Sequence, residues 1–191
     1  MRENRYHDVY RGELVRLTAV DPQKDAPLFA AWQRDAEYAR LLDSDPVRLW
    51  SAGQNQEWLE KQQKDDGFDG IQFMMRTLED DKAIGFVELG GISWHNGSGW
   101  VGIGIGDRAY RDKGCGSDAM RILARYAFEE LGLHRLNLNV FSYNTRAIHV
   151  YEKIGFQVEG RIPEALHREG KRWDLIFMGL LREEFFDNLT A

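Results

Sequence analysis

Between residues 110 and 117 the chain reads Tyr110-Arg111-Asp112-Lys113-Gly114-Cys115-Gly116-Ser117. Two cations precede two glycines, directly after an apolar run over 100–105 and directly before a segment of helical periodicity. A strand feeding a glycine-rich turn that opens a helix aims several unpaired backbone N–H groups, with the positive end of the helix dipole, at one point. Such a turn can seat phosphate, and Arg111 and Lys113 can neutralise a polyphosphate bound there. Glycine spacing alone fits an ordinary tight turn equally well. Gly102, Gly104 and Gly106 alternate inside the strand rather than standing in the turn after it, which argues against a Rossmann fingerprint. No Walker lysine followed by serine or threonine is present.

Other reactive residue types form no such pattern. His7, His95, His134, His149 and His167 lack the spacings of a zinc site, so no metal is expected. Cys115 stands where a helix N-terminus would lower its pKa, but no histidine lies near it in sequence to make a nucleophilic pair. Of the six tryptophans, Trp50 in a loop and Trp94 near a turn are candidates for substrate contact, although aromatic residues more often serve in packing. Asp43, Asp45, Asp65 and Asp66 make an acidic stretch of a kind that is usually just a solvated surface, though it could steer a cationic partner.

The elements around the glycine turn follow from periodicity. Residues 13–20 alternate as a first strand, and Asp21-Pro22 starts a helix running through about Tyr38. The stretch 40–70 is polar and rich in turn formers, with a helix of modest amphipathicity over 54–64. Residues 71–78 and 83–94 read as a hairpin, and Asn96-Gly97 turns the chain into a strand over 99–105. Ala119, Met120, Leu123, Tyr126, Ala127 and Leu131 recur at helical spacing. A strand over 136–141 leads to Asn144, which caps a short helix ended by Gly155. Strands over 156–162 and 172–181, joined through 167–171, close the chain.

With 191 residues, 43% hydrophobic and 29% charged, the whole of 1–191 fits one globular α/β domain. A net charge of −6 argues against nucleic-acid binding, which depends on basic residues, and favours cationic or amine partners. The single cysteine excludes a disulfide framework; residues 1–8 lack the apolar core of a signal peptide, and no apolar run suits a membrane span. A cytoplasmic enzyme is the expectation.

The loop Arg111-Asp112-Lys113-Gly114-Cys115-Gly116 resembles the acetyl-CoA loop of the GNAT N-acetyltransferases, R/Q-x-x-G-x-G/A. Asn144-Thr145-Arg146-Ala147-Ile148-His149-Val150-Tyr151-Glu152-Lys153-Ile154-Gly155-Phe156 is similar to the family's N-x-x-A-x-x-x-Y-x-K-x-G-F segment. Two motifs at this separation are far more specific than either alone. Together with 159–174, they point to the branch containing ribosomal-protein alanine N-acetyltransferases and spermidine acetyltransferases. The resemblance implies an α/β (α+β) GNAT fold: a twisted, mostly antiparallel mixed sheet of about seven strands, flanked by helices and splayed between strands 4 and 5.

It also implies the chemistry. Acetyl-CoA would be the co-substrate, its pyrophosphate held by backbone amides from Lys113 to Ser117. Its pantetheine arm would lie against backbone groups of Ile103, Gly104 and Ile105, with Asn144 on the opposite side. A primary amine, either a small molecule or a protein N-terminus, would attack the thioester directly in a ternary complex. The oxyanion needs a donor such as the Ile105 N–H, and Tyr151 is the candidate to hydrogen-bond the departing sulfur. Family members often carry an acidic residue early in the fourth strand, where this chain has Trp100. Glu88, in Phe86-Val87-Glu88-Leu89, is the alternative for binding or deprotonating the amine, with His95 as its rival. A solvent-facing strand residue is the plainer reading of Glu88. A homodimer through a sheet edge fits the fold. A non-catalytic acyl-CoA-binding regulatory module, or a protein-interaction domain, are the competing functions; Asn144 and Tyr151 together favour an enzyme.

Overall fold

A computed structural model describes residues 8–64 and 70–190. Residues 1–7, which include His7, and Asp65 and Asp66 of the acidic stretch lie outside the described residues. The strands are β1 (Val15–Ala19), β2 (Ile71–Thr77), β3 (Ala83–Ser93), β4 (Ser98–Ile105), β5 (Arg135–Phe141), β6 (Gln157–Arg168) and β7 (Lys171–Leu181). The helices are α1 (Pro22–Trp32), α2 (Ala36–Leu42), α3 (Ala52–Gln63), α4 (Cys115–Glu129), α5 (Thr145–Ile154) and α6 (Arg182–Thr190). No helix among the described residues is long and apolar enough to cross a membrane.

One seven-stranded sheet runs in the order β1-β2-β3-β4-β5-β7-β6. Every neighbouring pair is antiparallel except β4 and β5, which are parallel. That parallel pair is short: Ser98, Gly99 and Trp100 align with Arg135, Leu136 and Asn137, and pairing stops there. β4 continues beside β3 to Ile105, while β5 continues beside β7 to Phe141. The sheet therefore splits, and β4 over 101–105 has no strand on its β5 side. The expected splay between strands 4 and 5 is present.

Helices cover both faces. A large apolar cluster joins α4, Tyr151 and Ile154 of α5, and Phe185 of α6 to one face through Val87, Leu89 and Val101. A smaller cluster joins Phe29, Trp32, Tyr38 and Leu59 to Met74 and Phe86 on the other face. Alternation along β3 and β4 consequently puts Phe86, Glu88, Gly102 and Gly104 on the side of α1, α2 and α3.

Several boundaries differ from expectation for identifiable reasons. The single helix expected from Asp21 through Tyr38 is two helices. Asp35 stands at the break, where its side chain accepts the N–H groups of Glu37 and Tyr38 and so starts α2 anew. Ser51 and Gln54 form a reciprocal capping box, so α3 begins earlier than periodicity alone suggested. β6 runs past 162 to Arg168, because the register shifts around Pro163 and Glu164 and then resumes. Its turn to β7 is only Glu169-Gly170, with φ of +53° and +73°, the paired positive angles of a tight two-residue hairpin turn. α6 was not anticipated; it is short, and its anchor Phe185 is buried against Phe128 with ring centroids 5.5 Å apart.

Candidate active site

The split opens into a cleft of about 880 Å³ that passes between the two faces of the sheet. From the side of α1 to α3 it is lined by Tyr38, Leu42, Trp58, Glu88, Gly102 and Gly104. From the other side come Ala147, Val150 and Tyr151 of α5, with Gly114, Gly116 and Ser117 at the start of α4.

The glycine turn expected to seat phosphate stands at the N-terminus of α4. Gly114 is the N-cap of α4, with φ +84°, and supplies no side-chain cap. The first intrahelical acceptance at this end is Asp118 N–H to Gly114 O, which leaves the N–H groups of Cys115, Gly116 and Ser117 without helical carbonyls. Asp118 fixes this end of the helix from behind: its buried carboxylate accepts the backbone N–H groups of Glu13, Leu14 and Val15. The uncapped donors and the glycine at the cap fit a pyrophosphate, and the unpaired edge of β4 fits an extended arm.

The cations are distributed differently from the sequence expectation. Arg111 does not stand free on the loop: its side chain is 7% exposed and pairs with Asp35 at 2.9 Å. It also donates to the carbonyls of Ile105 and Gly106. Lys113 lies over the Tyr110 ring at 5.4 Å and, like Cys115, does not line the cleft. Arg146, to which the sequence reading gave no role, lines the cleft mouth and pairs loosely with Glu37 and Asp112. The only sequence signal for it was its place in the first turn after the Asn144 cap. Asn144 accepts the Ala147 N–H through Oδ1 and also lines the cleft.

Burial raises the Cys115 pKa, with the Asp118 charge acting in the same direction, so the lowering expected from its helix end does not occur. The thiol sits in the core and stays protonated. Tyr151 is 7% exposed, and burial pushes its pKa up to about 12.

Glu88 pairs across the sheet with Gly102. Its carboxylate leans over β4, so that a Cβ on residue 102 would stand 2.6 Å from Glu88 Oε1. Its side chain is exposed to solvent through the cleft, as the plainer reading of a solvent-facing strand residue has it; partial desolvation by the surrounding protein raises its pKa, against a weaker opposing hydrogen bond from Gln72. Trp100, standing where the family's strand acid was expected, lines the cleft and meets Phe177 edge-on at 6.1 Å.

The cleft does not gather every expected residue. Trp50 lines a separate shallow pocket with Gln54, Glu57, Trp58 and Lys61. Trp94 is 52% exposed on the turn between β3 and β4, at the end where β4 and β5 still pair. Neither lines the cleft, nor does His95. Asp43 and Asp45 are exposed, and their backbone carbonyls are held by Arg168. Among the described residues, no group of three or more His, Cys, Asp or Glu is arranged to hold a metal ion.

Comparison with known proteins bears on the same arrangement. Residues 15–157 match the family described as acetyltransferase (GNAT) domain. The SPbeta prophage-derived uncharacterized N-acetyltransferase YokL of Bacillus subtilis is 30% identical over 176 residues, covering 92% of this chain and 94% of that protein. The putative ribosomal N-acetyltransferase YdaF of the same species is 32% identical over 108 residues, 56% of this chain and 58% of that protein. In fold, the spermidine N-acetyltransferase of Vibrio cholerae, solved with CoA and spermine, superposes with a TM-score of 0.80 at 23% identity, covering 90% of this chain and 98% of that one. With its split sheet and uncapped glycine turn, the chain belongs to the GNAT family and is an N-acetyltransferase.

Proposed function

We propose that this chain, acting as one domain over 1–191, transfers an acetyl group from acetyl-CoA to a primary amine by direct attack in a ternary complex. The observation that carries this reading is the cleft itself: uncapped α4 N–H groups at one end, and Glu88 leaning over Gly102 opposite Tyr151 within it.

The N–H groups of Cys115, Gly116 and Ser117 would bind the pyrophosphate, with Arg146 and Lys113 as nearby cations. Backbone groups of Ile103, Gly104 and Ile105 would take the pantetheine arm along the unpaired edge of β4, with the Asn144 amide on the α5 side. Arg111 and Asp112 line the cleft beside this turn, Arg111 held in place by Asp35. Acetyl-CoA supplies an activated thioester when bound. Glu88 takes a proton from the amine as its nitrogen bonds to the acyl carbon. Tyr151 donates a hydrogen bond to sulfur as the carbon–sulfur bond breaks, and the proton on Glu88 returns to the thiolate through solvent. A carboxylate with a raised pKa is a better match to this duty than an ordinary one.

The acceptor side of the cleft favours an α-amine, as at a protein N-terminus. Leu41, Leu42, Trp58, Leu59, Gln62 and Gln63 make its lining apolar and amide-rich, with the Glu88 carboxylate over Gly102. An α-amine, with a pKa of ~8 against ~10.4 for a lysine-like amine, also asks less of the base. The spermidine acetyltransferase relative makes the polyamine the second reading. Thiol release from acetyl-CoA, followed across N-terminal peptides, spermidine, amino acids and aminoglycosides, decides between them. Fastest turnover with spermidine would reverse the preference, and no release with any amine would favour the non-catalytic acyl-CoA-binding alternative. A homodimer through the free edge of β6 and a cytoplasmic location belong to the same proposal; light scattering of the purified chain tests the dimer.

A further inference from the structure

Tyr38 carries a polar group that the fold itself does not use. Its side chain is 5% exposed, and its hydroxyl has no hydrogen-bond partner among the described residues. The ring is held from several directions: it meets Trp32 edge-on at 6.5 Å and lies 6.0 Å from the Arg111 guanidinium carbon. Its backbone N–H is accepted by the Asp35 cap. The hydroxyl is nevertheless directed at the cleft, where it stands 3.1 Å from the place a Cβ on Gly104 would occupy. Phenylalanine would fill the same apolar site without leaving a buried hydroxyl unmatched.

Gly104 follows Gly102 on the same face of β4, and Glu88 leans over Gly102. The Tyr38 hydroxyl and the Glu88 carboxylate therefore stand beside one another over two residues that lack side chains. Burial, with the Glu88 charge acting in the same direction, raises the pKa of the phenol, so it stays protonated and offers its oxygen lone pairs as acceptors.

Resting on the acetyltransferase reading above, we propose that Tyr38 and Glu88 form a two-point seat for the acceptor nitrogen, making Tyr38 a substrate-contacting residue that selects primary amines. A neutral primary amine has two N–H bonds and one lone pair. With one N–H directed to Glu88 and the other to the Tyr38 oxygen, the lone pair is left to point into the split. A secondary amine has a single N–H and cannot satisfy both acceptors.

The test compares wild type and Tyr38→Phe on the best primary amine of the acceptor panel and on its N-methyl counterpart. The expected result is a fall of about tenfold in kcat/KM for the primary amine, little change for the N-methyl compound, and so a collapse of the preference between them. The KM for acetyl-CoA should stay within about twofold, and the Tm should not fall, because the lost hydroxyl has no partner. Equal effects on both amines, or no effect on either, with wild type active, overturn the two-point seat and leave the transferase reading standing. Absence of thiol release by wild type with every amine overturns that reading and this inference with it.

Discussion

Glu88 of β3 and Gly102 of β4 are cross-strand partners, and the Glu88 carboxylate fills space that any side chain at 102 would need. The atoms in the way belong to a flexible side chain, so an added methyl would displace the carboxylate while leaving the strands in place. Gly102→Ala is therefore expected to lower kcat/KM for the amine about tenfold or more, with acetyl-CoA affinity within about twofold and Tm little changed. Unaltered steady-state rates in a variant of wild-type Tm would exclude this seat for the base.

The acid limb of the rate profile should belong to Glu88. A base must be ionised, and partial desolvation raises the Glu88 pKa above its ordinary 4.5, so kcat/KM should climb through that raised value and then level. Glu88→Gln should lower the plateau and remove the limb; a limb that survives the substitution assigns it to another group.

Stability should respond to Glu88 with a definite sign. The folded state holds the Glu88 proton more tightly than the unfolded chain does, so this group's stabilising contribution is complete below about pH 4.5 and is lost as pH rises through the folded pKa. Glu88→Gln should accordingly raise Tm near pH 7, and the gain should shrink as pH falls toward 4. Thermal melts of both proteins from pH 4 to 8 check it.

Tyr151, held near a pKa of about 12 by burial, is a poor proton donor to a thiolate whose conjugate acid lies near ~8.5. The contribution proposed for it is then a hydrogen bond to developing negative charge. Tyr151→Phe should lower kcat by about 10- to 100-fold while leaving acetyl-CoA binding within about twofold. Wild type should show no alkaline limb from this phenol below about pH 10, in keeping with its raised pKa. Calorimetric titration of acetyl-CoA beside steady-state kinetics separates the two quantities.

The turn and helix proposed to hold the donor were legible because their signals are local. Gly114 and Gly116 belong to one turn, and Asn144 to Gly155 to one short helix, so each motif names its own geometry. The proposed acceptor half consists of Tyr38, Glu88, Gly102 and Gly104, which only the β3–β4 register and the placement of α2 bring together. Trp50 and Trp94 looked suitable by residue type, but aromatic character carries no address. The break before α2 was equally hidden. Asp35 reads as one more polar helix residue until its partner Arg111, 76 positions later, is known to stand against it.

That pair supports the last prediction. Asp35 starts α2 by accepting the N–H groups of Glu37 and Tyr38, and it holds Arg111 of the glycine turn at 2.9 Å. One carboxylate thus ties the helix bearing Tyr38 to the loop expected to bind the donor. Burial opposes ionisation of Asp35, but the Arg111 guanidinium and the two backbone N–H groups outweigh it and hold the pKa below the ordinary 3.8. Its stabilising contribution is then present above about pH 3.8 and lost as pH falls through the folded value. Asp35→Asn keeps a capping side chain but discards the charge, whereas Asp35→Ala loses both. The alanine variant should be less stable than the asparagine variant by roughly 1 kcal/mol. Both should raise the KM for the amine more than that for acetyl-CoA, since Asp35 caps the helix that positions Tyr38, while the glycine turn keeps the other Arg111 bonds, to the carbonyls of Ile105 and Gly106. The Tm difference between wild type and Asp35→Asn should narrow as the pH is lowered below 3.8. A difference that stays constant through that range would mean that Asp35 acts through its cap alone, with the Arg111 pair contributing nothing.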